Sequence, residues 1–199
     1  MITLERIRLV NWHNFADTVM EIGNRCLLAG DNGSGKSTVI DAVQYALAAN
    51  LRMARFNSAA EERKGGGRDL MGYVRCKIGS DTTEYLRGNT VAHVMLEWSS
   101  PGGGFTCGVC VEAWQDNHYT EHFWTGPALS VGALAVRSDA GEPLGFRQFR
   151  NMLAERKADV YDAKRLYTRD LTNRLGVFKR QQDLNPYLDA LTRSIGFKP

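Results

Sequence analysis

The chain has 199 residues, of which 43% are hydrophobic and 24% charged, and its net charge is +3. This size and balance suit one sizeable folded core and exclude collagen-like, low-complexity and disulfide-scaffold classes. No apolar run approaches the roughly 20 residues of a membrane span, and Met1 leads almost directly into Leu4, Ile7, Leu9 and Val10 without a signal-peptide layout, so a cytoplasmic protein without membrane contact is expected.

Residues 2–10 alternate apolar and polar side chains, which predicts a strand. Asn11 to Phe15 reads as a turn, and Thr18 to Gly23 as the hairpin partner. Asn24 to Ala29 then predicts a short buried strand entering a glycine-rich loop. That loop is Gly30-Asp31-Asn32-Gly33-Ser34-Gly35-Lys36-Ser37-Thr38, which satisfies G-x-x-x-x-G-K-[ST]. Its glycines permit backbone dihedrals closed to other residues, so successive N–H groups can turn toward an anion. Lys36 would place a point charge among terminal phosphates, and the Ser37 hydroxyl would ligate Mg²⁺. Val39, Ile40, Val43, Ala46 and Leu47 recur at helical spacing, so a helix whose positive dipole end faces the phosphates follows. Strand, loop and helix are the context the motif needs. The expected ligands are ATP and Mg²⁺.

A hairpin ahead of the loop's own strand differs from simple kinases and small GTPases, and it is the arrangement of ABC-type ATPases. Leu9-Val-Asn-Trp-His-Asn-Phe15, followed by the stretch Leu28 to Leu47 with Asp41-Ala42 after the lysine loop, resembles the N-terminal head segment of SMC-like ATPases. This group includes SMC, RecN, RecF and MukB. Met71 to Gly79 and Tyr85 to Val94 look closest to JetC, the MukB-like subunit of Wadjet systems, and to its MksB relatives. The resemblance implies an α/β fold: the N-terminal half of an ABC-type P-loop NTPase head, with a mixed β-sheet, a P-loop helix, an antiparallel β-lobe and C-terminal helices.

Residues 51–69 combine Arg52, Arg55, Arg63, Lys64, three glycines and Arg68, which predicts a loop. In SMC heads an arginine in this region reaches the nucleotide or senses DNA, so Arg52, Arg55 and Arg68 are candidates; a basic surface loop without a partner is the alternative. Residues 91–98 and 105–114 are strand-like and joined by Ser-Ser-Pro-Gly-Gly-Gly, which predicts a hairpin, and residues 119–124 add a further strand. These would form the β-lobe.

Cys107-Gly-Val-Cys110 invites a zinc or redox reading, but no second ligand pair lies at standard spacing. On a strand the two thiols would point to opposite faces, so both are expected to be core cysteines. His118 and His122 would form a ligand pair only on a helix, and His93 lies mid-strand as a structural histidine. None of these carries chemistry on this reading.

From about residue 143 the pattern turns helical. Phe146, Phe149, Met152 and Leu153 form one apolar stripe, and Val160, Ala163, Tyr167, Leu171 and Leu175 a second, stopped by Gly176. Asn185-Pro186 precedes a last predicted helix, Tyr187 to Ser194. Residues 1–142 would thus be the P-loop core and β-lobe, and 143–199 a basic helical part leading toward a coiled coil, within a single half-head. Residues 137–199 carry a net charge of +5, against −2 for residues 1–136. Arg165 and Arg169 are therefore candidates for contact with a DNA backbone, a solvated helical face being the alternative.

Two parts of a complete ABC ATPase do not occur: a signature motif and an apolar Walker B strand ending in two acids. The glutamine that helps hold Mg²⁺ is also unassigned, with Gln181 or Gln182 better placed than Gln115. No residue of this chain is therefore assigned as catalytic, and the chain alone is expected to bind ATP weakly and to turn over negligibly. The resemblance implies that the C-terminal half of the same head supplies both motifs, and that a second head docks across ATP. DNA and kleisin-like and accessory subunits would complete a nucleoid-associated machine. ATP-dependent head engagement would then drive DNA movement in plasmid defence or chromosome maintenance. A RecF- or RecN-type repair ATPase is one alternative. A nucleotide-binding interaction module without hydrolysis is another, of a different class.

Overall fold

Strand β1 (Thr3–Trp12) runs antiparallel to β2 (Phe15–Glu21), closing over the two-residue turn His13-Asn14 with Trp12 opposite Phe15. The computed structural model describes residues 2–51, 56, 69–78 and 84–176. Arg52, Arg55, Arg68, Gln181, Gln182 and the helix expected over residues 187–194 lie outside the described residues.

The other edge of β1 pairs with β3 (Thr90–Ser99), which continues into β4 (Phe105–Ala113), β5 (Tyr119–Pro127) and the short β6 (Asp159–Tyr161). The strand order is β2-β1-β3-β4-β5-β6 and every pairing is antiparallel. The hairpin over Ser-Ser-Pro-Gly-Gly-Gly is present as expected. The mixed sheet is not: among the described residues there is one antiparallel sheet, and β1 belongs both to the hairpin beside the P-loop and to the lobe.

The strand expected over residues 24–29 is likewise absent. Arg25, Cys26 and Leu27 are exposed, and the segment pairs with no strand among the described residues. The apolar run Cys26-Leu-Leu-Ala29 has the composition of a strand buried on both faces. A strand is made by its neighbours' hydrogen bonds, and none of the described strands lies beside this segment.

Among the described residues four helices cover the sheet: α1 (Lys36–Ala48), α2 (Leu70–Val74), α3 (Phe146–Glu155) and α4 (Lys164–Leu175). Helices α1, α2 and α4 lie over one core, with Ile7, Leu9, Val94, Leu96, Cys107, Val109 and Phe123. Helix α3 and the 3-10 turn Val131–Ala133 cover the other, with Val10, Met95, Cys110 and Trp124. Period-two alternation sends Cys107 and Cys110 to opposite cores, as expected for a strand. Val160 departs from its expected helical stripe: it lies in β6, paired opposite Trp124, and α4 begins only after Ala163. Gly176 closes α4 in the left-handed conformation at φ 60°, as its position suggested. Among the described residues no helix is long and apolar enough to cross a membrane.

Candidate nucleotide site

The loop that precedes α1 takes its shape from its glycines. Gly33 (φ 88°) and Gly35 (φ 96°) sit where a side chain would be strained. At Gly35 space is closed as well, since a Cβ would lie 2.9 Å from Cζ of Phe15. Gly35 is also the N-cap of α1 and offers no side chain, so no side-chain oxygen competes for the first amides of the helix. Those amides are the donors that an anion satisfies at a helix N-terminus.

Lys36 folds back over the loop. Its Nζ donates to the carbonyl oxygens of Gly30 (2.6 Å) and Asp31 (2.8 Å) and to Ser34 Oγ (3.3 Å), while Ser34 N–H donates to Asp31 O (3.1 Å). A cavity of about 140 Å³ opens beside it, lined by His13, Asn32, Gly33, Gly35, Lys36, Ser37 and Thr38. That volume is well below the roughly 300–1,000 Å³ of a drug-sized ligand's pocket, so it suits a phosphate group and leaves a base and sugar outside. All nine residues singled out in the sequence, Gly30 through Thr38, thus either line the cavity or hold the lysine that borders it. They do not play equal parts. Ser37 is exposed at the cavity wall, whereas Thr38 is buried and its carbonyl accepts from Trp12 Nε1 (3.1 Å).

The donor set fits a phosphate with its magnesium. The wall offers an ammonium, a hydroxyl and backbone amides, and no carboxylate stands among its described residues. Ser37 would give Mg²⁺ one oxygen, the phosphates would give others, and an acidic ligand would have to come from elsewhere. When bound, the ion would neutralise charge on the phosphates; this chain's own part would be to orient them through Lys36 and the loop amides.

His13 is the residue that sequence reasoning passed over. It belongs to the β1–β2 turn, and the fold brings that turn against the P-loop. The other three histidines are structural. His93 is buried, its Nε2 lies 3.0 Å from Leu144 O, and burial lowers it to about 4. His122 stacks on Phe146 with ring centroids 3.4 Å apart, and His118 stacks on Trp114. Cys107 and Cys110 form no metal site, and no metal-binding cluster exists among the described residues. Burial pushes the Cys107 thiol to about 12 and raises Cys110 as well.

Helix α1 is held at both ends. Near its start, the Tyr73 hydroxyl donates to the buried Asp41, and Trp12 stacks between Tyr45 and Tyr73 at 5.8 and 5.0 Å. At its far end Tyr167 OH donates to Ala46 O (2.6 Å), and Tyr45 OH bonds to Glu121, which also accepts from Lys164 (2.6 Å). Arg165 and Arg169 are exposed on α4, which meets α1 at the end remote from the phosphate cavity.

Glycine-rich turn, back-folded lysine and helix N-terminus, set against a sheet, define a P-loop nucleotide-binding region in an α/β fold. Residues 4–63 match the family described as the P-loop containing region of AAA domain. Over 82 residues the chain is 30% identical to the DNA replication and repair protein RecF of Brucella abortus (strain 2308), and the same holds for that of Brucella suis biovar 1 (strain 1330). The aligned part is 40% of this chain and 21% of the relative, so the chain spans about a fifth of the length of the curated relatives it matches.

Proposed function

We propose that the chain is the ATP-binding N-terminal half of an SMC-like, JetC/MukB-type ATPase head that works on DNA. One observation carries this reading: a glycine-rich phosphate cradle is reached through a segment that pairs with no strand among the described residues. Leu27 is 88% exposed. On the other side of the same segment, Cys26 and Leu28 line an apolar groove of about 170 Å³ with Ile22, just after β2, and with Val39, Ile40 and Val43 of α1. An apolar segment whose two edges are unpaired among the described residues has the character of a central strand without its flanking strands. The C-terminal half of the head would supply those strands, together with the Walker B acids and the signature motif. A second head would then close over Mg-ATP, with engagement and release driving movement on DNA alongside kleisin-like and accessory subunits. Plasmid defence or chromosome maintenance would be the setting, in the cytoplasm at the nucleoid. Arg165 and Arg169 would meet the DNA backbone, and Arg52, Arg55 and Arg68 would sense nucleotide or DNA, with Gln181 or Gln182 near the metal.

The test is ATP turnover by the chain alone and after joining it to the second half of the head. Hydrolysis that depends on Lys36 is expected only in the joined protein. Lys36-dependent turnover by residues 1–199 alone would overturn the half-site reading.

A repair ATPase of RecF type is the second reading, favoured by the similarity to RecF over 82 residues. A long coiled coil between the two halves of the head would speak for the SMC-like reading, and its absence for RecF.

A further inference from the structure

We propose that Arg75 and Arg87, between α2 and β3, form a site for a small dianionic oxyanion of the phosphate class, separate from the nucleotide cavity. Neither arginine lines that cavity, so the proposal goes beyond the nucleotide reading and does not depend on it.

The local backbone sets the two side by side. Residues 75–78 and 84–87 run antiparallel, with Lys77 bridged to Tyr85 and Ile78 N–H donating to Glu84 O at 3.0 Å. That register places Arg75 opposite Arg87: the Arg87 N–H donates to Arg75 O (3.0 Å), and Arg75 Nε donates to Arg87 O (3.1 Å). Like charges directly opposite one another across two strands are destabilising. No ion pair joins either guanidinium to a carboxylate among the described residues, Glu84 included. The repulsion therefore stands without an internal counter-charge.

Arg75 is the more telling of the two. It is 6% exposed, and its Nη1 is buried with no hydrogen-bond partner among the described residues. A buried charged donor without an acceptor is among the costliest groups a fold can carry. Its Cζ lies 4.1 Å from the centre of the Tyr85 ring, which holds the guanidinium but supplies no oxygen to its N–H groups. Burial also lowers the Arg87 guanidinium from its ordinary value, and Arg87 Nη1 reaches only Val74 O at 3.3 Å. The group that completes this arrangement is a negatively charged acceptor. Guanidinium forks match phosphate oxygens, and with Lys77 two residues from Arg75 the local charge suits a dianion better than a monoanion. Burial sets the size. A duplex backbone can touch the half-buried Arg87 but does not reach an arginine as enclosed as Arg75, whereas a small ion entering beside Arg87 meets both.

The experiment titrates the full 199-residue chain with sodium phosphate at constant ionic strength, with sodium acetate and a short DNA duplex as the other arms. NMR follows the arginine Nε–H signals, and thermal unfolding is measured in phosphate and in chloride for wild type, Lys36→Ala, Arg75→Met and Arg87→Gln. Phosphate is expected to shift two arginine signals and to raise the unfolding midpoint of wild type and Lys36→Ala alike. Arg87→Gln is expected to weaken phosphate binding about tenfold, and Arg75→Met to abolish it. Arg75→Met is expected to be at least as stable as wild type in chloride, where it removes an uncompensated buried charge, and less stable than wild type in phosphate. An equal loss of stability in both salts would make Arg75 a structural residue and overturn the site. A phosphate response lost in Lys36→Ala but kept in Arg75→Met and Arg87→Gln would assign the ion to the P-loop and overturn it too, while leaving the nucleotide reading intact. Should Arg75→Met fail to fold, unchanged phosphate affinity in Arg87→Gln overturns the proposal by itself. Equal affinity for acetate would overturn the phosphate class, and Arg75-dependent binding of duplex without any response to phosphate would overturn the small-ion site.

Discussion

The ring of Phe15 lies over Gly35, so close that a single added carbon at Gly35 would come within 2.9 Å of it. A hairpin residue from the sheet and a loop residue from the phosphate cradle therefore define one another's position. Gly35→Ala would meet both this contact and a φ of 96°. A loss of about 1–3 kcal/mol in stability is expected, along with at least a tenfold loss of nucleotide affinity. Phe15→Leu combined with Gly35→Ala should recover part of the stability but not the dihedral cost. A double-mutant cycle by urea unfolding reads this directly, and additivity of the two changes would contradict the contact.

Acid should weaken the fold through His93. Burial lowers this imidazole to about 4 in the folded chain, against about 6.5 when unfolded. Between those values the unfolded state holds the extra proton, so stability falls as pH drops from about 6.5 toward 4. The loss is on the order of 3 kcal/mol once pH lies below the folded value. His93→Phe should flatten this limb of a stability–pH profile, and an unchanged limb in the variant would assign the effect elsewhere. Asp17, partly buried but hydrogen-bonded by Arg8 and Arg137, is held below the usual carboxylate range, so its contribution is lost only at still lower pH.

The four thiols should separate by reactivity. Cys26 is exposed, whereas Cys76, Cys107 and Cys110 are buried. A thiol reagent at neutral pH should therefore modify one cysteine quickly in the native chain and four after unfolding. Cys26→Ser should remove the fast phase. Rapid reaction of Cys107 or Cys110 would show that β4 opens far more readily than its packing implies.

Leu27 offers a test that distinguishes this chain from an assembled head. At 88% exposure it contributes little to the fold of residues 1–199. Leu27→Ser should change the stability of the chain alone by less than about 0.5 kcal/mol. In the joined head the same change should destabilise by about 2 kcal/mol, as expected for a leucine that becomes buried. Equal small effects in both contexts would speak against a covering partner strand.

Much of the site was legible in the sequence because the chemistry of the P-loop is local. Gly33, Gly35 and Lys36 give the loop its shape through their own dihedrals and one folded-back side chain. Cys107 and Cys110 were legible for a similar reason, since a three-residue spacing on a strand fixes opposite faces. Residues 24–29 were misread as a formed strand because pairing depends on neighbours that local composition cannot display. Val160 was misread as helical because three- and four-residue spacing continued by chance across a short strand. His13 went unnoticed because its importance arises from the turn meeting the loop in space. The sequence signal that could have found it was the polar pair His13-Asn14 set between Trp12 and Phe15, two aromatics that both pack toward α1 and its loop.

Helix α1 is 13 residues long, about 20 Å, and is fastened near one end by Trp12 and Tyr73 and near the other by Glu121 and Tyr167. Mechanically this makes it a strut with two clamped ends. A strut so held joins the phosphate cavity at its start to α4 at its far end, where Arg165 and Arg169 stand on the surface. Loosening either clamp would turn the strut into a hinge.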